Sequence, residues 1–124
     1  MVILNDGIQK REIIAKYIDS KDYADLRNAI IDSLKTVMTQ VPKYYIDIVD
    51  RYMFLWATAK ALEDDIKIRG VSVFWSNGEN QHGYKKNDSI AELNRTSKQM
   101  SEILIKNLGI NPVTISGEDF GEEL

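Results

Sequence analysis

The side chains best suited to acid–base or metal chemistry are a run of three acids, Glu63-Asp64-Asp65, and a single histidine, His82. The acids fall inside a helical pattern. Consecutive helical residues point in different directions, so the three carboxylates do not converge on one ion. His82 has no second histidine and no acid pair at ligand spacing to join it, and it reads as a polar loop residue. The chain has no cysteine, which removes disulfides, thiolate metal sites and Cys-His nucleophile pairs, and is consistent with a reducing compartment. A GxxxxGK(S/T) phosphate loop, a GxSxG elbow and an HExxH helix are all missing. Nothing assembles a nucleophile, a base and an oxyanion site. The expectation is a protein that is not an enzyme and needs no cofactor or metal.

Binding chemistry is better supplied. The chain of 124 residues has a net charge of −3, and that balance is uneven. Residues 110–124 hold Glu118, Asp119, Glu122 and Glu123 and no base, which leaves the body close to neutral. A neutral body can still carry a local basic patch. Lys10, Arg11, Lys16, Lys21 and Arg27 lie close together in sequence, and Lys85-Lys86 form a second pair. By charge and position alone, these seven are the candidate contacts to nucleic-acid phosphates. Large apolar residues form another group: Tyr45, Tyr52 and Trp56 recur at helical spacing, and Phe74, Trp75 and Tyr84 cluster further on. The first three are expected to pack in a core or against a partner subunit, and the last three to meet a neighbour.

These residues need elements to position them. The length fits one domain with one core. Met1–Leu4 is too short for a signal peptide, and no apolar run approaches the roughly 20 residues that span a bilayer. Asp6 and Gln9 have capping-box spacing, and Ile13, Ile14, Tyr17 and Ile18 share one arc, so residues 7–18 read as a short helix. Asp19-Ser20-Lys21 breaks the pattern. A second helix is expected from Asp22 to Thr39, with the stripe Tyr23, Leu26, Ile30, Leu34, Val37 and Met38. Two helices joined by a short break can form a DNA-reading helix-turn-helix. Here, however, Asp22 and Asp25 occupy the end that phosphates would have to approach.

Val41-Pro42 ends that helix and starts the next. From 42 to 69 the positions Tyr45, Ile48/Val49, Tyr52, Leu55/Trp56, Ala59, Leu62 and Ile66 keep three-four spacing with no Gly or Pro inside. Such a helix would be roughly 42 Å long, too long for a chain of this size to cover alone, so a partner along its length is expected. Arg69-Gly70 closes it. Val71–Trp75 alternates as a strand, Asn77-Gly78 is a turn signal, and residues 81–85 return as a weaker strand. This hairpin cannot bury Phe74, Trp75 and Tyr84 by itself and must pack on the helices or on a neighbour. Asn87 or Asp88 caps a last helix running to Leu108, with the stripe Ile90, Leu93, Ser97, Met100, Leu104 and Leu108. It is expected to lie antiparallel to the long helix. Gly109 and Pro112 stop it, and an acidic tail follows from 113 to 124, with Phe120 and Leu124 as a possible docking peptide. The fold expected is mainly α: a helical hairpin or bundle with a long central helix and a small β-hairpin, assembling as an oligomer. It divides into a helical pair at 1–41, a central oligomerisation part at 42–112 and the tail.

Residues 42 to about 113 resemble the small terminase subunits of tailed double-stranded-DNA phages. The likeness is carried by motifs in order: the aromatic long helix Tyr45-Ile46-Asp47-Ile48-Val49-Asp50-Arg51-Tyr52-Met53-Phe54-Leu55-Trp56-Ala57 ending at Gly70, the Asn77-Gly78 segment, and the helix Asp88-Ser89-Ile90-Ala91-Glu92-Leu93-Asn94-Arg95-Thr96-Ser97-Lys98-Gln99-Met100. The stretch closes with Leu108-Gly109-Ile110-Asn111-Pro112. Similar sequences often carry Asn-Pro before the last helix, where this chain has Asn87-Asp88; either pair can start a helix. The resemblance implies a non-enzymatic homo-oligomer, a ring, that recognises double-stranded viral DNA. It implies transfer of that DNA to the large terminase subunit, whose motor it regulates, in the cytoplasm of an infected or lysogenic host cell. It implies no membrane partner and supplies no short motif of DNA-contacting residues. Two other classes fit the bare residues: a helix-turn-helix transcription regulator, and a structural or adaptor oligomer without DNA contact.

Overall fold

The computed structural model describes residues 13–110. Residues 13–18 are helical (α1). After a break at Asp19-Ser20 come α2 (Lys21–Lys35), α3 (Lys43–Arg69), β1 (Ser72–Ser76), β2 (His82–Lys86) and α4 (Asp88–Glu102), which continues into a π-helical turn at Ile103–Asn107. The chain is mainly helical, with a long central helix and a small antiparallel hairpin. None of the described helices is long and apolar enough to cross a membrane.

Local chemistry sets most boundaries. The Ser20 side chain accepts from the Tyr23 N–H at 3.1 Å and caps α2. That helix stops at Lys35, short of the expected Thr39. The Thr36 hydroxyl donates to the Ser33 carbonyl at 2.6 Å, and the N–H groups of Val37 and Met38 both reach Leu34. The last turn therefore tightens and the chain leaves the helix axis. As a result Val37 is exposed, while Met38 still packs on the core. Helix α3 begins after Pro42 and ends with the Gly70 N–H on the Ile66 carbonyl at 2.7 Å.

The core forms where α2, the N-terminal half of α3 and the end of the last helix meet. Ile30 and Leu34 come from α2, Val49 and Met53 from α3, and Leu108 from just past the π turn. Tyr45, Tyr52, Trp56, Leu26 and Leu104 surround them. Val49, Met53 and Ala57 lie one helical turn apart on α3 and are completely buried. Helix α4 packs along the other half of α3 and runs antiparallel to it: Ser89 at its start meets Asp65, while Met100 and Leu104 border Tyr52 and Trp56. The buried polar position of α4 is Thr96, whereas Ser97, expected on the stripe, is exposed. The order Leu93, Thr96, Met100, Ile103 keeps the three-four spacing with that change. In the π turn the Leu108 N–H reaches back to Ile103 at 3.0 Å. This wider turn ends the helix with Leu108 inside the core.

The hairpin pairs Phe74 with Tyr84 and Ser76 with His82. Its connection is a loop over 77–81, longer than a tight Asn77-Gly78 turn. Asn77 N–H donates to the Gln81 carbonyl at 2.6 Å, and Gly78 supplies the left-handed backbone at φ 120°. Opposite Trp75 stands Gly83, where a Cβ would come within 3.3 Å of the indole nitrogen. Glycine is what lets the indole lie across the strand.

Candidate functional site and interaction surfaces

The three neighbouring carboxylates take separate tasks. Glu63 pairs with Lys60 at 3.6 Å on the helix surface. Asp64 accepts from the Tyr17 hydroxyl at 2.6 Å and lies 3.7 Å from Lys16, tying α1 to α3. Its hydrogen bond pushes the Tyr17 phenol up to about 12, because ionising Tyr17 would both lose the donor and place two anions together. Asp65 accepts two bonds from Arg69, at 2.6 and 2.8 Å, one from the Ser89 hydroxyl at 2.6 Å and one from the Asn87 amide at 3.3 Å. The Arg69 guanidinium foremost, helped by Ser89 and Asn87, holds its carboxyl down at about 2. Among the described residues, no three His, Cys, Asp or Glu side chains are placed to hold a metal.

Asp65 is one corner of a polar junction at the root of the hairpin. Asn87 is fully buried there with every side-chain polar atom satisfied. Its amide also donates to the Gly70 carbonyl at 2.9 Å, and its oxygen accepts from the Ser89 N–H at 2.9 Å and from Arg69 at 3.2 Å. The Asn87 backbone N–H closes on Val71 at 2.8 Å. One side chain thus caps α4 and fastens the end of α3 to both ends of the hairpin. The sequence gave only the cap, since Asp65 and Asn87 are brought together by the fold.

Beyond that root the hairpin packs on no helix. Phe74 is 58 % exposed, Trp75 39 % and Tyr84 77 %. Phe74, Tyr84 and His82 form a cluster on one face, with the Phe74 ring 5.6 Å edge-on from Tyr84 and 5.9 Å from His82 in a stacked orientation. The other aromatic candidates lie elsewhere. Tyr45, Tyr52 and Trp56 pack within the protomer against the core. Trp56 meets the edges of Tyr17 and Tyr23, each at 6.0 Å, and Lys60 stands over its ring at 5.7 Å. On α3 the exposed apolar side chains are Tyr44, Phe54 and Ile68, on a second side of the helix that the stripe count did not single out. Leu55, Ala61 and Leu62 beside them are only half-buried.

Most of the described basic candidates are engaged within the protomer. Lys16 pairs with Asp64 and stands 4.9 Å over the Tyr17 ring, and Lys21 pairs with Asp25 at 3.8 Å. Arg27 donates to Asp50 at 2.6 Å, a bond that raises its pKa further and locks α2 to α3. Lys85 reaches Asp88 at 3.6 Å, while Lys86 is exposed on β2 opposite Ser72. These side chains do not come together on one face. Lys10 and Arg11 lie outside the described residues, as does the tail from 113 to 124.

Comparison with protein-family models, with curated proteins and with solved structures gives no significant match. The chemistry available at these surfaces is therefore read from the residues themselves. It consists of an aromatic blade held at its root, a second apolar side on the long helix, and exchangeable surface ion pairs.

Proposed function

We propose that the chain is a small terminase subunit: a non-catalytic homo-oligomer, a ring, that recognises double-stranded viral DNA and regulates the large terminase subunit during genome packaging. The ordered motifs from Tyr45 to Pro112 support the name. The observation that carries the assembly part is uncovered apolar surface: Phe74, Trp75 and Tyr84 on the hairpin and Tyr44, Phe54 and Ile68 on α3. A helix that is apolar on more than one side is built to be covered on more than one side. In this reading 42–112 assembles the ring, 1–41 faces DNA and the acidic tail meets the large subunit, all in the host cytoplasm.

The DNA contacts come from Lys10, Arg11, Lys16, Lys21, Arg27, Lys85 and Lys86, several of which must exchange a carboxylate for a phosphate. The exposed side of α2 carries Asp22, Asp25 and Asp32, which speaks against that helix entering a major groove as a recognition helix does. Binding is tested by titrating the chain onto duplex DNA from its own packaging region at several salt concentrations. Affinity falling steeply with salt, and weakened by Lys85→Glu with Lys86→Glu, is the expected result. Absence of DNA binding at low salt would leave a structural oligomer instead.

A further inference from the structure

Helices α2 and α4 both pack on α3 yet scarcely touch each other. Between them runs an open valley made of two adjoining grooves of about 310 and 210 Å³, which share Tyr52 and Leu104. Leu26 and Ile30 form one wall, Met100 and Leu104 the other, and Tyr52 and Trp56 the floor. The floor is a row of half-buried apolar side chains, so something of apolar character gains by covering it. Ile110, the last described residue, lines one end of the valley, held by its N–H on the Leu104 carbonyl at 2.9 Å.

The residues that follow Ile110 suit that valley. Pro112 biases Asn111 toward extended backbone and away from resuming a helix. Val113 and Ile115 are β-branched and two apart, so an extended chain turns both to the same side, with Thr114 to the other. Five residues of extended chain cover roughly 17 Å. Along α3, the rise from Tyr52 to Glu63 at the far end of the valley is about 16 Å. The segment is thus tethered at the mouth of an apolar valley, is long enough to run its length, and has its apolar residues in the right alternation.

We propose that residues 111–115 are a strap that lies along this valley, with Val113 over Tyr52 and Leu104 and Ile115 near Ala59 and Ser97. The strap bridges the two walls that do not otherwise meet. It also fixes the point from which the acidic residues Glu118 to Glu123 depart, at the Lys60 and Ser97 end.

The absence of native cysteine makes cross-linking in the full chain unambiguous. The pairs Val113→Cys with Ser101→Cys and Ile115→Cys with Ser97→Cys are oxidised at micromolar protein. Each is compared with Ile115→Cys paired with Asn28→Cys, on the outer side of α2 and within the same tether reach. The expected result is a disulfide within one chain, at a rate independent of protein concentration and about ten-fold faster than the control. Equal rates at all three pairs would mean a segment that does not settle in the valley. A faster bond between chains would mean that a second copy fills it. Either outcome overturns the strap. A separate reading uses the Trp75→Phe chain, in which Trp56 is the sole tryptophan. There, Val113→Asp with Ile115→Asp should raise acrylamide quenching about two-fold, and unchanged quenching contradicts the proposal.

Discussion

The root and the blade of the hairpin are built on opposite principles. At the root, Asn87 is fully buried and Asp65 gathers donors from three residues, with every buried polar atom satisfied. On the blade, the paired rings of Phe74 and Tyr84 are mostly in solvent and touch no helix. A two-stranded hairpin is at best marginal by itself. Here its direction is fixed by directional hydrogen bonds at the root rather than by apolar packing of its faces. That arrangement leaves both faces free while still aiming them. The lesson is that polar satisfaction serves the protomer's own fold, and the uncovered aromatics have to be accounted for outside it.

Breaking the root should have the largest effect. Asn87→Ala removes the α4 cap and leaves the Gly70 carbonyl and the Asp65 carboxylate short of donors, at a cost of about 3 kcal/mol. Urea unfolding measures it, and a loss below about 1 kcal/mol would show the junction to be incidental. Acid should do part of the same work. The folded pKa of Asp65 is below its ordinary value of 3.8, at about 2. Its contribution is therefore present above pH 4 and lost as pH falls through that window. The shift corresponds to about 2 kcal/mol for a side chain this well covered. Asp65→Asn should flatten the fall in stability between pH 4 and pH 2, and an unaltered profile would assign the acid sensitivity to other carboxylates.

The tie between α1 and α3 is smaller. Tyr17→Phe should cost about 1 kcal/mol at neutral pH through the lost bond to Asp64. Because the folded phenol is raised above its ordinary value of 10.0, the bond stabilises below that pH and is lost as pH rises toward 12. The Tyr17→Phe chain should lack that alkaline component in a pH-resolved melt. The smallest change in folding is expected on the blade. Phe74→Ala with Tyr84→Ala should cost the fold no more than about 1 kcal/mol, yet reduce the oligomeric mass. A large loss of stability with unchanged mass would make the blade part of the protomer's own packing.

Legibility in the sequence followed the range of the interactions. Pro42 and Gly70 bracket α3 because each acts on its own backbone, and both ends were readable within a residue. The end of α2 was not, since apolar spacing continues through Val37 and Met38 while the hydroxyl of Thr36 diverts the chain. The stripe of α4 read true except at Ser97, because Thr96 is equally compatible with three-four spacing and only the shape of α3 decides between them. The π turn has no periodic signature. Asn77-Gly78 marked the hairpin, but the closing pair Ser76–His82 makes the loop longer than the dipeptide suggests. The divergence of Glu63, Asp64 and Asp65 was readable from helical geometry, whereas the partners of Asp65 were not, for Asn87 and Ser89 are remote in sequence. Charge alone could not distinguish Arg27, which Asp50 holds, from Lys86, which is exposed.

Self-association is the central claim, and light scattering of the full chain at micromolar concentration tests it most directly. A mass of many subunits, lowered by Phe74→Ala with Tyr84→Ala in a chain that remains folded, is the predicted result. A stable monomer at that concentration would contradict it.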